Sequence, residues 1–568
     1  MAYIAASSLG LPEVKSVNPA APAETVIAKL LSGDKRIDPL LDGPEFRFNT
    51  GSPVGTAVTV TYSFPDTMPT TYVGEDAKDW KTFNAEQRAA TREILALLQK
   101  QVNITFQEVT ESSDSTGTMR FSNNNQGVSA GYAIFPNSNQ NPQDADTWIA
   151  IGYDTNVVKG AYAWTTLVHE IGHAVGLSHP GNYNAGEVKT SDAVGNYLGV
   201  KEDTFYNTIM SYRQSAQSIN DTWFQPYDIL ALRYLYGTNA YATGDTVYKY
   251  TDASGLWVDN IIDDGGSDTI DLSALTVGAG LDLTPGAFSN VGKISSGENA
   301  QGNLTISFDA VIEKVIGTSL PDNILGNQAN NTLTGGGGND VLNGAAGTDT
   351  AVFSGKLSDY SINYNRALGT ASITDKRTVG DGADSLKSIE KLQFSDKTFE
   401  LINPPRTEPA VFAKSQSFLF DAAFYLLKNP DLVPTVNLTT AYDNFKAVGA
   451  AKGAAPNSWF DAVYYANKWA DLKSLNLDAA TLFAHYNLYG VWEGRSAGPV
   501  FDKYDGNRYL ADNPDVAGYV DGNLKDFLGS RSNGAIAHFV IYGAAEGRVA
   551  YDTDGKPLDL AILIGVGP

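Results

Sequence analysis

Two rhythms of apolar and polar residues alternate along the first 245 residues of the chain. The β-branched and aromatic run at 58–64 predicts a strand, and a long helix at helical apolar spacing follows the N-cap residue Asn84 and runs to residue 101. Another helix is predicted at 226–236, with a proline in its first turn and Gly237 at its C-cap. Further strands are predicted at 104–109, 118–122, 131–135 and 147–153, and a further helix at 165–177. This order predicts an α/β layer domain at 46–245.

The pattern changes near residue 246 to glycine, asparagine and aspartate with short apolar interruptions. In one stretch the chain repeats every nine residues, with Asp or Asn in the sixth place and an apolar residue in the eighth. The period favours stacked short strands over a flexible linker, and we assign 246–402 to such a stack. An isolated earlier unit contains Asp268. The regular units begin at Gly317, Gly326, Gly335 and Gly344.

A third pattern, rich in Ala, Tyr, Phe and Leu at helical spacing, occupies residues 408–550. Three copies of about 40–50 residues predict a small helical array. The segment 1–45 is interpreted as a leader or pro-segment, and 551–568 as an apolar tail. The copies are aligned on the pairs Phe420-Asp421, Phe460-Asp461 and Phe501-Asp502.

Composition excludes several function classes for these 568 residues. The net charge of −24 disfavours binding to nucleic acids and to anionic membranes, but it suits cations. Cysteine is absent, which excludes disulfides, thiolate nucleophiles and cysteine-based metal sites. No apolar run of about 18 residues is present, so no transmembrane segment is predicted.

Three of the five histidines fall within one short window together with Glu170. His169 and His173 are four residues apart, which places both imidazoles on one face of a helix. Gly176 ends that helix, so the chain can reverse and bring His179 as a third nitrogen ligand. Three neutral imidazoles with open positions predict a catalytic zinc site, with Glu170 as general base for amide hydrolysis. The alternative, that these are ordinary packing histidines, does not explain their concentration.

The extended motif resembles that of the metzincin zinc proteases, which also carry a methionine turn. Thr208-Ile-Met-Ser-Tyr fits that turn, and with the nonapeptide repeats the chain resembles the serralysins. The resemblance implies a multidomain protein with a metzincin-like α/β protease domain, a parallel RTX β-roll and a mainly helical repeat domain. It implies that Glu170 is the catalytic base and that the zinc ligands are His169, His173 and His179. Tyr212 is implied to be a switchable fifth ligand that stabilises the oxyanion, and Met210 is implied to lie beneath the imidazoles. It also implies that an edge strand pairs with the peptide substrate through Gly131, Tyr132 and Ala133.

Glycine turns with backbone carbonyls and carboxylates form a hard-oxygen ligand set, which suits several structural calcium ions. The predicted calcium ligands are Asp268, Gly335, Gly337, Asp340, Gly344 and Asp349.

The resemblance implies export of an unfolded chain by the type I secretion machinery and an extracellular location, with the tail as signal. For 408–550 we consider two hypotheses: docking to the cell surface or a surface-layer protein, and a stabilising appendage. The alternative function is a non-enzymatic RTX adhesin or surface-layer component, which has no need of Glu170.

Overall fold

The structure, a computed structural model, forms two compact units that divide between Lys314 and Val315, inside the stretch assigned to one roll. The first 31 residues of the predicted leader, residues 182–196 and the last part of the apolar tail, 559–568, lie outside the described residues. The described residues are 32–43, 45–112, 116–127, 129–138, 143–181, 197–213, 217, 219–365, 369–401, 419–433, 435–544 and 546–558.

The first unit contains a mixed sheet with two helices packed beside it. Strands β3, β1, β4 and β6 run parallel in that order, and β5 pairs antiparallel with β6 at the sheet edge. The predicted N-cap of α1 is confirmed, since the Asn84 side chain accepts the backbone N–H of Gln87 in a capping box. The elements are β1 (Val58–Ser63), β2 (Lys81–Thr82), α1 (Ala85–Gln101), β3 (Ile104–Glu108), β4 (Met119–Asn124), β5 (Gly131–Ala133), β6 (Thr147–Ala150), α2 (Tyr162–Ala174), β7 (Asn220–Asp221) and α3 (Pro226–Tyr236).

The described end of the predicted leader is packed into the core of this unit. Leu40 and Leu41 are buried in the same apolar cluster as the helices. The carbonyl of Leu40 also accepts the N–H of Ser178, one residue before the third histidine. The predicted boundary at residue 45 therefore does not coincide with the edge of the core.

The rest of the first unit is built mainly of short strands, which follow α3 except for β7. Strands β7, β9 and β13 are parallel neighbours, β12 pairs antiparallel with β13, and β8 pairs parallel with β10. These elements are β8 (Val247–Thr251), β9 (Trp257–Ile261), β10 (Thr269–Ala274), β11 (Gly280–Asp282), β12 (Phe288–Ser289) and β13 (Leu304–Ile306); β14 (Lys314–Ile316) follows at the boundary.

The second unit begins with the nine-residue repeats, and successive repeats alternate between two parallel sheets. Ile324 therefore pairs with Leu342, two repeats later, and all four eighth-place side chains are buried, as predicted. A hairpin, β19 and β20, interrupts the stack before β21 continues one sheet and β22 the other. The strands are β15 (Asn323–Leu325), β16 (Thr332–Thr334), β17 (Val341–Asn343), β18 (Thr350–Val352), β19 (Tyr360–Asn365), β20 (Thr370–Asp375), β21 (Ala383–Lys387), β22 (Lys391–Gln393) and β23 (Thr398–Glu400).

The predicted helical array is present after the roll, but the third copy is aligned differently. Asp421 and Asp461 cap helices in the first two copies, whereas Asp505 takes this role in the third. Tyr504-Asp505, not Phe501-Asp502, is therefore the equivalent pair. None of the described helices is long and apolar enough to cross a membrane. The helices are α4 (Ala422–Lys428), α5 (Ala441–Asn444), α6 (Ala462–Lys468), α7 (Ala470–Lys473), α8 (Ala479–His485), α9 (Gly506–Asp512), α10 (Pro514–Gly522) and α11 (Arg531–His538).

Candidate metal centre and active site

Helix α2 and the chain reversal after it bring three histidines together. His169 and His173 lie one turn apart on the buried helix, which ends at Ala174. Gly176 has φ +108°, and a side chain there would overlap the carbonyl of Phe46, so glycine is required by conformation and by space. The reversal then places His179 beside the other two imidazoles.

The three imidazoles converge through their Nε2 atoms. Nε2 of His169 lies 3.1 Å from Nε2 of His173 and 3.4 Å from Nε2 of His179. The Nδ1 atoms of His169 and His173 face backbone carbonyls at 2.8 and 2.6 Å, so the Nδ1–H tautomer donates there. Both Nε2 atoms then carry lone pairs, which cannot hydrogen-bond to each other but are suited to a shared cation.

Burial keeps the imidazoles of His169 and His173 neutral, the form that binds a metal. Desolvation lowers the pKa of His169 to about 4. The pKa of His173 is lowered well below its usual range, first by burial and then by the neighbouring imidazoles. Neutral nitrogens with fixed tautomers fit a zinc ion, so the predicted zinc ligands are brought together by the fold.

Glu170 lies beside this cluster with a carboxyl group that has no hydrogen-bond partner among the described residues. Burial alone raises its pKa well above the usual range. A carboxyl with a raised pKa is suited to exchange a proton near neutral pH. A Cβ on Gly131 of strand β5 would lie 2.8 Å from Glu170 Cγ, so the edge strand approaches the predicted base closely.

The calcium turns show a second set of buried oxygens without partners. Asp340 and Asp349 each accept a backbone N–H from the turn stacked before them through Oδ1. Asp268 accepts the N–H of Thr246 in the same way in the first unit. The Oδ2 atom of each of these three aspartates is buried without a hydrogen-bond partner among the described residues.

The charges and the glycines of these turns also fit a divalent cation. Desolvation raises the pKa of Asp340 to about 7 and that of Asp349 to about 6, so ionising them without a counter-ion is unfavourable. A Cβ on Gly335 or Gly344 would overlap the Oδ2 atom of the aspartate in its own unit. A Cβ on Gly337 would be 3.4 Å from a backbone carbonyl oxygen. Carboxylate and carbonyl oxygens therefore crowd these turns, as calcium binding requires.

Comparison with known proteins agrees with both sites. Residues 47–223 match metallo-peptidase family M12, and residues 316–351 match four copies of the RTX calcium-binding nonapeptide repeat. Serralysin B of Dickeya chrysanthemi is 32% identical over 315 residues, which are 50% of this chain and 62% of that protein. Metalloprotease AprA of Pseudomonas entomophila (strain L48) is 32% identical over 290 residues, 46% of this chain and 57% of its own length. Serralysin of Proteus mirabilis is 32% identical over 298 residues, which are 46% of this chain and 58% of that protein.

The chain resembles the serralysin-type metalloproteases. It spans about 60% of the length of these curated relatives. The comparisons confirm the expected peptidase domain, the RTX repeats, and zinc and calcium as the cofactors. Neither family match reaches the helical repeats at 408–550.

The methionine turn lies against helix α2, at a point between His169 and His173 along the helix. A Cβ on Gly172 of α2 would be 2.7 Å from Met210 Sδ, so the buried methionine packs tightly under the helix. The ring of Tyr212 lies 4.4 Å from that of His179 between centroids and 6.0 Å from that of His169. Tyr212 is therefore close enough to the imidazoles to act at the same site.

Strand β5 has a strand neighbour on one side only among the described residues, as expected for a peptide-binding edge. The Tyr132 side chain stacks on Trp148 and hydrogen-bonds Asp76 and Asn124, so it supports the strand from within. The Tyr132 ring is thus engaged within the protein.

One residue of the site was missed by the sequence reasoning. Asp228 in α3 is buried and accepts hydrogen bonds from Thr208 Oγ1 at 2.6 Å and from the N–H groups of Ile209 and Gln225 at 2.8 Å each. The carbonyl of Ile209 in turn accepts Nδ1–H of His169. An aspartate in the first turn of a mostly apolar helix was the available signal.

Proposed function

We propose that this chain is a secreted zinc-dependent endopeptidase. The observation that carries the proposal is the convergence of three imidazole Nε2 atoms beside the carboxyl of Glu170, which has no hydrogen-bond partner in the part of the chain that the structure describes. His169, His173 and His179 would hold the zinc ion, and Tyr212 would serve as a switchable fifth ligand. Bound there, zinc supplies Lewis-acid polarisation of the scissile carbonyl and acidifies water.

The residues of the chain divide the remaining chemistry between them. Glu170 takes a proton from the attacking water while the water oxygen bonds to the carbonyl carbon. It then returns this proton to the amide nitrogen as the C–N bond breaks. The Tyr212 hydroxyl donates a hydrogen bond to the oxyanion of the tetrahedral intermediate. The buried position of Glu170 and the ring contacts of Tyr212 support these roles.

The substrate is a protein segment bound in extended form. Its backbone pairs with Gly131, Tyr132 and Ala133, because β5 ends the sheet on one side and passes next to Glu170. Backbone pairing tolerates many sequences, and selectivity then arises from side-chain pockets on alternate residues.

Casein hydrolysis by matched variants tests the activity. Glu170→Gln keeps the side-chain shape but removes the base, so we expect casein cleavage to fall by about 10²–10⁴-fold with zinc content unchanged. Glu93→Gln makes the same change on an exposed face of α1 and is expected to have no effect. Cleavage by Glu170→Gln within about tenfold of the wild type would overturn the proposal. The non-enzymatic alternative instead predicts that the zinc-loaded wild type does not cleave casein.

The predicted calcium turns and the helical repeats are proposed to act after the enzyme has left the cell. We propose export by type I secretion, with the roll folding on calcium after exit, because extracellular modules bind calcium at about 10⁻⁴–10⁻³ M. The helical repeats then dock the enzyme to the cell surface or a surface-layer protein. Deleting 408–550 should release the enzyme from washed cells into the medium, and unchanged retention on cells would reject docking.

A further inference from the structure

The turn formed by residues 380–384 lies outside the matched nonapeptide repeats yet stacks on one of them. We propose that this turn and the turn at 335–340 enclose a further calcium site, with the carboxylates of Asp340 and Asp384 as ligands. The site closes the roll across the inserted hairpin of β19 and β20. It does not depend on peptidase activity.

The sequence of the turn resembles that of a nonapeptide repeat, but the turn does not follow the preceding repeat at nine-residue spacing. Residues 380–384 are Gly-Asp-Gly-Ala-Asp, and the repeat turn at 336–340 is Gly-Gly-Gly-Asn-Asp. The following strands pair in parallel with Val341 opposite Ser385 and Leu342 opposite Leu386, so Asp384 is placed beside Asp340. A search for nine-residue spacing misses this turn because the hairpin lies between the two.

Backbone contacts repeat the pattern of a regular pair of turns. In the regular pair, the N–H of Asp322 donates to Asp340 Oδ1 at 2.9 Å, and the N–H of Val341 donates to the Asp322 carbonyl at 2.9 Å. In the new pair, the N–H of Asp340 donates to Asp384 Oδ1 at 2.9 Å, and the N–H of Ser385 donates to the Asp340 carbonyl at 2.8 Å. Asp384 therefore stands to Asp340 as Asp340 stands to Asp322.

The space between the two turns is lined with oxygen atoms and lacks a positive charge. Asp340 Oδ2 is buried without a hydrogen-bond partner among the described residues, and Asp384 is only 4% exposed. Neither carboxylate pairs with a described lysine or arginine within 4.0 Å. Gly382 has φ +94°, and a Cβ there would overlap the carbonyl oxygen of Gly338. Two buried carboxylates with a converging carbonyl form the hard-oxygen set that calcium prefers.

Asp381, in the same turn, is engaged elsewhere and offers a control. Its carboxylate accepts hydrogen bonds from the backbone N–H and hydroxyl of Ser354 and from the hydroxyl of Tyr360. The guanidinium of Arg377 lies 3.6 Å away. The charge of Asp381 is thus already satisfied by the protein.

Calcium counting on the full-length protein tests the proposal. Asp384→Asn keeps an oxygen that accepts the Asp340 N–H but removes the charge, so we expect one fewer calcium ion per chain after calcium depletion, reloading and elemental analysis. Asp381→Asn is expected to leave the count unchanged. An undiminished count in Asp384→Asn, or an equal loss in both variants, would overturn the assignment.

A measurement on the wild type covers the case in which Asp384→Asn does not fold. Adding calcium to the depleted protein should slow amide hydrogen exchange in peptides that span 380–387 together with those that span 335–343. Protection of 335–343 without any change in 380–387 would also overturn the assignment, since a shared ion must order both turns.

Discussion

Asp228 offers the sharpest test of how the fold supports the zinc site. Its Oδ2 atom accepts two buried backbone N–H groups, from Ile209 and Gln225, and its Oδ1 atom accepts the Thr208 hydroxyl. A buried donor left unpaired costs about 1–3 kcal/mol, so Asp228→Ala should destabilise the methionine turn by about 2–6 kcal/mol. At 1.36 kcal/mol per tenfold, the lower end is a roughly 30-fold faster exchange of the Ile209 amide. Zinc affinity should fall about tenfold or more, because the Ile209 carbonyl orients His169.

Hydrogen exchange of peptides around Ile209, with zinc titration against a chelator, measures both effects. Asp228→Asn retains an oxygen at the Oδ2 position and should lie within about tenfold of the wild type, since the backbone hydrogen bonds survive. Asp309→Ala removes a carboxylate with 55% exposure and serves as the matched control. Wild-type exchange and zinc affinity in Asp228→Ala would refute the reasoning that this carboxylate holds the turn.

Three further predictions follow from burial and close contact. Gly131→Ala places a methyl group 2.8 Å from Glu170 Cγ, so casein cleavage should fall while zinc content stays constant; unchanged cleavage would mean that the strand yields freely. Leu40→Ala leaves a cavity in the core and should cost about 2–5 kcal/mol, seen as a lower melting temperature that the exposed Val73→Ala does not share. In calcium-depleted protein, burial raises the pKa of Asp340 from 3.8 to about 7, so the folded state favours the protonated carboxyl. The melting temperature should therefore fall as the pH is raised from about 4 to about 7. Saturating calcium should reverse that slope by binding the ionised carboxylate, and an identical slope with and without calcium would contradict it.

Local signals predicted most of the helices and the histidine cluster well, because their causes are local. The capping residue Asn84 marks the start of α1. The start of α2 at Tyr162 was instead placed three residues too late, because Ala161 provides no side-chain cap that would mark it. The spacing of the histidines on a helix and the glycine after it were sufficient for the zinc cluster. Likewise, the apolar eighth places of the repeats predicted the buried column of the roll.

The features that sequence reasoning missed depend on contacts between distant residues. Leu40 is buried in the core, and the chain that follows α2 contacts it through the hydrogen bond from Ser178. The pattern of residues 1–45 contains no signal of this contact. The third helical copy was misaligned because a tyrosine, Tyr504, replaces the phenylalanine of the other copies. The role of Asp228 depends on a turn about 20 residues earlier in the chain.

The alternation of repeats between two sheets sets the order in which the roll can close. Regular partners are 18 residues apart, so each turn pair forms from a short piece of chain and extends its predecessor. The pair that includes Asp384 joins residues 44 apart, and its larger loop costs about 0.8 kcal/mol more in closure entropy. When the depleted roll folds on added calcium, we therefore expect this pair of turns to assemble last and to complete the solenoid.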